Sequence, residues 1–343
     1  MAHYRQRQVL FYSAIVFLFL LVTILHRDLT DHLPPVSDPT AGPSDHLPAR
    51  QNLQWEAGPT NYFWLGDAEC AGHSTRFTVR HSLPVRALVS YPGSGNTWIR
   101  YLVEAATGVF TGSIFNDKSI LRAGHYGEAR NFNDGTTILQ KTHHRALYVS
   151  QYKHYGLDWR KHHVQQFSGR GVLVIRNPYK AILSYWNFKR TKSHTKTVDV
   201  ESLHSEQFLD FVRVGAERWL EVIKDWLQLS TSCHVILYEV SLQTSQESWS
   251  LVTYFQELKE DPTAELRKLL LHLHLKIDEA RLDCIEKHSA GSFHRVKHQE
   301  EDPFTEELHQ LLDQYILTAN SLLREKTGKE LPLEKYEYFK SDG

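Results

Sequence analysis

The sequence predicts an α/β protein in which helices cover both faces of a central parallel β-sheet. Short apolar runs alternate with segments long enough for helices, which is typical of this class. The strand candidates are residues 87–91, 137–141, 171–175 and 234–238. The strongest helix candidates, in which apolar residues recur at helical spacing, are residues 208–229, 263–273 and 305–324.

Composition limits the functional classes. A chain of 343 residues that is 41% hydrophobic can bury one sizeable core. The formal net charge of -1 gives no general reason to expect a nucleic-acid partner, so any anion site must be local. Three cysteines without a CxxC pair do not form a disulfide framework or a zinc site, and we predict no metal. Cys70 and Cys284 could pair in an oxidising lumen, whereas Cys233 is expected to be a buried thiol.

The N-terminal region contains one long uncharged stretch, residues 9–25, preceded by Arg5 and Arg7. Seventeen residues in a helix span about 25 Å, slightly less than the ~30 Å hydrocarbon core of a bilayer. A cleaved signal peptide is disfavoured because no small-residue cleavage site follows. A buried core helix is disfavoured because the stretch lacks a polar face. The sequence therefore predicts a signal anchor whose basic flank, residues 1–8, stays in the cytosol.

The remainder divides into a linker and a globular part. Residues 26–60 are rich in proline, serine, aspartate and histidine, which predicts a flexible stalk. Residues 61–343 then form the folded domain, which the orientation of the anchor would place in the lumen.

The best candidate for a binding site is a glycine-rich turn that follows the first strand. Pro92 ends the strand, and Gly93, Ser94 and Gly95 can curl so that backbone N–H groups approach a ligand. The helix that follows has Gly108 as its expected C-cap. A small-residue turn that enters a helix N-terminus attracts anions, which suggests phosphate binding. The alternative is a tight connection without a ligand, and the missing lysine of GxxxxGK[ST] disfavours an ordinary nucleotide triphosphate loop.

A second strand end delivers Lys141 and His143, in the run Lys-Thr-His. Ligands of parallel α/β sheets bind at the carboxyl ends of the strands, so these side chains could meet the glycine-rich turn. A neutral histidine can accept a hydroxyl proton, and a lysine can stabilise charge on a transferring group. The alternative is that His143 simply faces solvent.

A third strand ends in Arg176, followed by Asn177 and by Pro178 at an expected helix start. Ser184 lies about two turns into that helix. An arginine at a strand end suits bidentate contact with phosphate. The alternative is an arginine that pairs with a nearby carboxylate.

Together the three segments resemble the sulfotransferases. These enzymes carry YPKSGTTW-like, KTH and RNPKDxxxSxxxF segments, and this chain has YPGSGNTW, KTH and RNPYKAILSYWNF in the same order. The residues of these segments are most similar to those of the WSC-domain-containing sulfotransferase family, and the similarity extends over roughly residues 86–304. The cysteine-rich WSC modules are absent, since three cysteines cannot build them. The resemblance implies a P-loop-like sulfotransferase fold that uses 3'-phosphoadenosine-5'-phosphosulfate (PAPS) as sulfate donor and requires no metal.

The resemblance also implies roles for individual residues. Lys141 would support the sulfuryl group, and His143 would be the general base. Arg176 and Ser184 would bind the 3'-phosphate. Arg295 and Lys297, in a degenerate Gly-x-x-Gly-x-x-Lys segment, would be further donor contacts. The residues that would hold the 5'-phosphosulfate are Ser94, Gly95, Asn96, Thr97 and Trp98, the last of these near the adenine.

Two departures from the family pattern matter. Gly93 stands where many sulfotransferases have a lysine that stabilises the bridging oxygen, so either Lys141 takes over that role or activity is reduced. Residues 240–256 look like an insertion after a core strand.

From the anchor and the resemblance together we expect a type II Golgi membrane protein that sulfates a hydroxyl group, with a glycan as acceptor. The alternatives are a weak or inactive protein that binds PAP or PAPS, and a P-loop-type small-molecule kinase.

Overall fold

The computed structural model describes residues 53–143, 159–239, 262–291, 302–336 and 338–339. All of them belong to one compact unit that begins at His46. The predicted anchor at 9–25, its flank at 1–8, the stalk as far as residue 52, the 240–256 insertion and the pair Arg295 and Lys297 lie outside the described residues. No helix within the described ranges has the length and apolar character needed to cross a membrane.

Five strands form a parallel sheet at the centre of the domain, after a small antiparallel pair, β1 (Asn61–Tyr62) with β2 (Ser74–Thr75). The sheet strands are β3 (Ala87–Ser90), β4 (Gly112–Ser113), β5 (Gln140–Thr142), β6 (Arg170–Ile175) and β7 (Ser232–Leu237). Their order is β4-β5-β3-β6-β7, and every pairing is parallel. Since β5 and β6 flank β3, the carboxyl ends of the three strands that carry the predicted site residues are adjacent.

Helices pack against both faces of this sheet, as the sequence predicts. They are α1 (Asn96–Thr107), α2 (Lys118–Arg122), α3 (Trp159–Gln165), α4 (Pro178–Thr191), α5 (Glu206–Leu229), α6 (Pro262–His272), α7 (Glu279–His288) and α8 (Glu306–Thr327). Successive β3 residues point to opposite faces, so Val89 joins a core with α4, α5 and α8, whereas Leu88 joins a core with α1, α6 and α7. Trp219 and Trp226 are the largest fully buried side chains of the first core.

Local signals in the sequence set the ends of the helices around the site. Gly108 ends α1 in the left-handed conformation, with φ of 67°, and its N–H bonds to the carbonyl oxygen of Glu104. Asn177 caps α4 by accepting a hydrogen bond from the Tyr179 N–H, while Pro178 occupies the first helical position. Ser184 is therefore two turns into α4, as predicted.

The structure changes some predicted strands. The second strand begins only at Gln140, because the preceding Ile138 N–H bonds to the carbonyl oxygen of Phe110 outside the sheet ladder. Strands β1, β2 and β4 were not predicted, since two-residue strands have no periodicity to detect.

The cysteines divide into a pair and a single thiol. Cys70 and Cys284 form a disulfide across 214 residues of sequence, so the pairing suggested by the sequence is confirmed. Cys233 is a free thiol that is only partly buried, in contrast to the prediction, because it lies near the start of the edge strand β7. Although the residue as a whole is partly exposed, the protein atoms around the thiol keep water away from it. This desolvation raises the pKa of the Cys233 thiol to about 12.

Candidate active site

The turn between β3 and α1, residues 91–95, is closed by two glycines in left-handed conformations. Gly93 has φ of 83° and Gly95 has φ of 80°. A Cβ atom on Gly93 would lie 2.3 Å from the carbonyl oxygen of Ala181 on α4. A Cβ atom on Gly95 would lie 2.5 Å from the ring of Tyr238. Both glycines are therefore required by conformation and by space, and the turn backbone lies directly against α4.

Hydrogen-bonding groups at this turn are left open to a ligand. Gly95 is the N-cap of α1 and supplies no side-chain bond to the first helical N–H groups. The Ser94 side chain is buried, and its hydroxyl makes no hydrogen bond within the described part of the chain. Asn96 donates to the carbonyl oxygen of Leu88 over 3.0 Å, which ties the start of α1 back to β3. An uncapped helix start beside an unpaired buried hydroxyl fits an anionic group such as a phosphate or phosphosulfate.

His143 follows β5 and reaches across to the end of β3. Its Nδ1 lies 2.9 Å from the carbonyl oxygen of Ser90. A carbonyl oxygen can only accept, so Nδ1 carries the hydrogen and the lone pair remains on Nε2. Burial, with the positive charge of Lys141 as a second cause, lowers the pKa of His143 to about 3. The imidazole is therefore neutral at physiological pH and can accept a proton.

Lys141 is buried two residues before His143, and both side chains lie beside the ring of Phe115. Its Nζ is 5.7 Å from the centre of that ring, and the His143 ring centre is 5.0 Å from it. Burial lowers the pKa of Lys141 to about 8, although the charge of Glu128 acts in the opposite direction. Glu128 is itself fixed by Arg100 and by the Asp117 N–H, whose nitrogen is 2.8 Å from Oε2.

Arg176 extends from the end of β6 to the glycine-rich turn. Its Nη1 donates to the carbonyl oxygen of Gly93 over 2.6 Å, and its guanidinium lies 4.5 Å from the centre of the Tyr238 ring. Its Nε is 3.6 Å from a carboxylate oxygen of Glu239. The sequence left two alternatives for Arg176, contact with a phosphate and pairing with a carboxylate. In the structure Arg176 pairs with Glu239, and its guanidinium also lies against the glycine-rich turn. Burial raises the pKa of Glu239, and Arg176 opposes that rise.

The structure brings most of the predicted site residues together around the carboxyl ends of β3, β5 and β6. Trp98 in the first turn of α1 packs its ring edge against Tyr238, with 5.7 Å between ring centres. Ser184 on α4 lies against Gly93, because a Cβ atom on that glycine would be 3.1 Å from the serine Cβ. The residues that form this group are Ser94, Gly95, Asn96, Thr97, Trp98, Lys141, His143, Arg176 and Ser184.

Three members of the site were not singled out from the sequence. Tyr238 and Glu239 directly follow β7, and both contact Arg176. The rule that ligands bind at the carboxyl ends of parallel strands could have indicated these two residues. Phe115 follows the two-residue strand β4, which gives no sequence signal, so its position could not have been anticipated.

The fold and the site define a class of protein. A parallel α/β sheet brings an anion-binding turn next to a neutral histidine and a buried lysine, an arrangement suited to group transfer from a phosphate-containing donor. Residues 86–313 match the Sulfotransferase domain family. The chain therefore belongs to that family.

The curated relatives agree with this assignment. The chain is 26% identical over 232 residues to a WSCD family member from Aedes aegypti and 28% identical over 236 residues to one from Drosophila melanogaster. Both matches cover 66% of this chain and 62% of the relative, so the chain spans less than two thirds of the relatives' length. Mouse Sulfotransferase 1A1 is 29% identical over 127 residues, or 37% of each chain. The similarity to WSC-family sulfotransferases predicted from the motifs is confirmed.

Among solved structures, mouse sulfotransferase SULT7A1 complexed with PAP is similar at 14% identity and a TM-score of 0.43. The match covers 72% of this chain and 89% of that one.

Proposed function

We propose that this protein transfers a sulfuryl group from PAPS to a hydroxyl group of an acceptor. His143 acts as the general base, and Lys141 stabilises the negative charge of the transferring group. One observation carries the proposal: the hydrogen bond from His143 Nδ1 to the Ser90 carbonyl oxygen leaves an unprotonated Nε2 beside an uncapped anion-binding turn. PAPS supplies the activated sulfuryl group when bound.

The residues around the turn fit such a donor. The unpaired Ser94 hydroxyl and the first N–H groups of α1 can donate to the 5'-phosphosulfate. Arg176, with Ser184 beside Gly93, provides the cation and hydroxyl for a 3'-phosphate. Trp98 and Tyr238 offer aromatic surfaces next to this cation, which suits an adenine ring.

Lys141 is a buried cation whose charge acts on His143 and which shares the contact with Phe115. The lysine that many sulfotransferases carry in the turn is replaced by Gly93, and the carbonyl oxygen of Ala181 leaves no room for a side chain there. Charge that develops on the sulfuryl and leaving phosphate oxygens would then be stabilised by backbone N–H groups and Lys141.

The same glycine supports a second candidate function. A protein that lacks the turn lysine could bind PAP or PAPS without turnover, as a scaffold or nucleotide-binding protein. The two candidates share the donor site and differ in sulfate transfer. A P-loop-type kinase is less favoured, because the turn lacks the phosphate-binding lysine of that class.

We further propose that the acceptor is a glycan and that the domain faces the Golgi lumen, anchored by residues 9–25. The uncharged N-terminal stretch supports anchoring, and the Cys70–Cys284 disulfide is typical of an oxidising compartment. Carbonate extraction and protease protection of full-length protein in isolated membranes test this arrangement. Release into the carbonate supernatant would contradict it.

The donor site is tested by thermal unfolding of the purified full-length protein with PAP, ATP or Mg-ATP. PAP at 100-fold over its dissociation constant should stabilise the folded state by ~2.7 kcal/mol. Arg176→Ala should abolish this shift, whereas Arg190→Ala, at an exposed arginine of α4, should retain it. Absence of a PAP effect on wild-type protein that unfolds cooperatively would overturn the proposal, and stabilisation by Mg-ATP alone would favour the kinase.

Transfer itself is then measured with radiolabelled PAPS on an array of glycans. Incorporation of label supports the enzyme. PAP binding without incorporation into any glycan, peptide or small hydroxyl compound favours the non-enzymatic candidate.

A further inference from the structure

The C-terminal end of α7 is fixed to residues 64–70 by a disulfide, a hydrogen bond and a ring contact, in addition to the exposed Lys287–Glu69 ion pair. Cys284 is bonded to Cys70. His288, the last residue of α7, has its Nε2 2.8 Å from a carboxylate oxygen of Asp67. The imidazole of His288 also stacks on Trp64, with ring centres 5.9 Å apart and an interplanar angle of 22°. We call Trp64, Asp67, Cys70, Cys284 and His288 the Cys70 corner.

The backbone just beyond the corner accepts hydrogen bonds from α1. The carbonyl oxygen of His288 accepts from the Tyr101 hydroxyl over 2.7 Å. The carbonyl oxygen of Ser289 accepts from the indole Nε1 of Trp98, also over 2.7 Å. Trp64 donates to the same Tyr101 hydroxyl over 3.0 Å, which links the corner to α1 a second time. The orientation of the Trp98 indole therefore depends on where the end of α7 is held.

Trp98 in turn is part of the aromatic group on the donor side of the site. Its ring meets Tyr238, and Tyr238 carries the Arg176 guanidinium on its face. A change in the orientation of the Trp98 indole would therefore shift Tyr238 and, through it, Arg176, which are both placed to contact the donor. His143 and Lys141 are instead at the carboxyl end of β5, where His143 contacts Ser90 and both side chains lie beside Phe115.

The first half of α7 is held independently of the disulfide. Arg281 donates to the carbonyl oxygens of Ala105 and Ser74 over 2.8 and 2.7 Å. Loss of the disulfide should therefore loosen the last turn of α7 without detaching the helix.

We propose that the Cys70–Cys284 disulfide is a positioning element for the donor nucleotide, so that loss of this crosslink weakens donor binding. The inference rests on the proposed function. With the disulfide intact, Trp98 and Tyr238 are pre-ordered for the nucleotide. Without it, donor binding must order these side chains, which should raise the dissociation constant of PAP about tenfold. The rate of transfer at saturating donor should not change, because the corner does not contact the catalytic pair.

The experiment measures PAP binding by titration calorimetry on full-length protein. All variants carry Cys233→Ser, so that the free thiol does not interfere. Cys70→Ser/Cys284→Ser and Cys70→Ala/Cys284→Ala are compared with the disulfide-containing protein, because both cysteines are buried and the crosslink is best removed by substitution. Both disulfide-free forms should bind PAP about tenfold more weakly.

A milder change in the corner provides a second measurement. Asp67→Ala removes the acceptor of His288 and should weaken PAP binding, while Asp67→Asn, which keeps an acceptor oxygen, should restore part of it. Glu69→Gln is the matched control, because Glu69 pairs with Lys287 at the exposed surface of the same helix end. It should leave the dissociation constant unchanged.

The outcomes separate the two proposals. Failure of the disulfide-containing protein to bind PAP would overturn the proposed function and this inference together. Equal PAP affinity in the disulfide-containing, disulfide-free and Asp67→Ala proteins, all folded as judged by circular dichroism, would overturn only this inference. A raised donor KM with unchanged kcat supports a positioning role, whereas an equal fall of kcat would contradict it.

Discussion

The Nδ1 of His143 donates to the backbone carbonyl oxygen of Ser90 over 2.9 Å, which joins the residue after β5 to the last residue of β3. This bond fixes the tautomer of the imidazole in the folded protein, before any substrate binds. A base that is already oriented loses less free energy when the acceptor hydroxyl arrives. The acceptor should therefore approach Nε2 over Phe115, whose ring borders the imidazole.

Replacement of His143 should affect turnover and spare donor binding. General-base catalysis contributes about 10²–10⁴-fold, so we expect His143→Gln to lower kcat by that factor. PAP affinity should stay near the wild-type value, because His143 contacts Ser90 and Phe115, which are not among the residues assigned to the donor. The measurement is steady-state transfer together with PAP calorimetry, with the exposed His162→Gln as control. Full turnover in His143→Gln would show that another group is the base.

The pH dependence of the reaction should follow Lys141 rather than His143. Burial lowers the pKa of Lys141 to about 8, so the cation is present below that pH and is lost above it. The pKa of His143 is lowered to about 3, so the base remains neutral throughout the range from pH 5 to pH 9. We expect kcat/KM to be flat from about pH 5 to 7 and to fall above about pH 8.

The variant Lys141→Arg distinguishes the two groups. Arginine stays protonated, so the alkaline fall should disappear even if the rate is lower. A wild-type profile that instead falls below about pH 6.5 would indicate an ordinary histidine and would contradict the assignment of the low pKa.

The sequence predicted much of the sheet and most of the site, and the reasons differ between elements. Strand β3 and helix α1 were predictable because an apolar run, Pro92, two glycines and Gly108 each have a local conformational meaning. Lys141 and Arg176 could be placed from topology, since parallel strands present their carboxyl ends on one edge.

Long-range contacts between polar side chains could not be predicted in the same way. Nothing local indicates that Tyr238 would fill the space above Gly95 or that Glu239 would pair with Arg176. Both contacts depend on strand order, which places β7 beside β6. The three cysteines of the sequence allowed a Cys70–Cys284 disulfide as one possible pairing. Only the packing of α7 brings these two residues together.

Restoring the missing lysine of the turn should not raise activity. Gly93 has a positive φ, and a Cβ atom there would collide with the Ala181 carbonyl oxygen at 2.3 Å. A non-glycine residue in such a conformation costs about 1–3 kcal/mol, before the displacement of α4 is counted. Gly93→Lys should therefore lower both the unfolding midpoint and PAP affinity.

The matched control is Gly66→Lys, at a glycine with no neighbouring atom within 4 Å of its added Cβ. It should unfold near the wild-type temperature in differential scanning calorimetry. Higher transfer activity in Gly93→Lys would mean that the turn can open away from α4, contrary to the structure.

The buried pair of Arg100 and Glu128 should be the most sensitive polar contact behind the site. Arg100 is fully buried on α1, where its Nε also donates to the Thr111 hydroxyl over 2.7 Å. Arg100→Met leaves the Glu128 carboxylate buried without its cation, and loss of one partner of a buried pair costs about 3–5 kcal/mol. Urea unfolding at neutral pH measures this loss.

Two further variants separate the cost of the orphaned charge from the value of the pair. Arg100→Met/Glu128→Gln should recover part of the stability, since the double variant no longer buries an unpaired charge. Arg213→Ala, which removes an exposed pair with Glu307, should unfold near the wild-type urea concentration. The charge of Glu128 opposes the fall in the pKa of Lys141, whereas the charge of Arg100 adds to it. The single variant Glu128→Gln, which keeps Arg100, should therefore deprotonate Lys141 at lower pH than the wild type. Its alkaline activity loss should then begin below that of the wild type, and an unchanged profile would show that Glu128 does not act on Lys141.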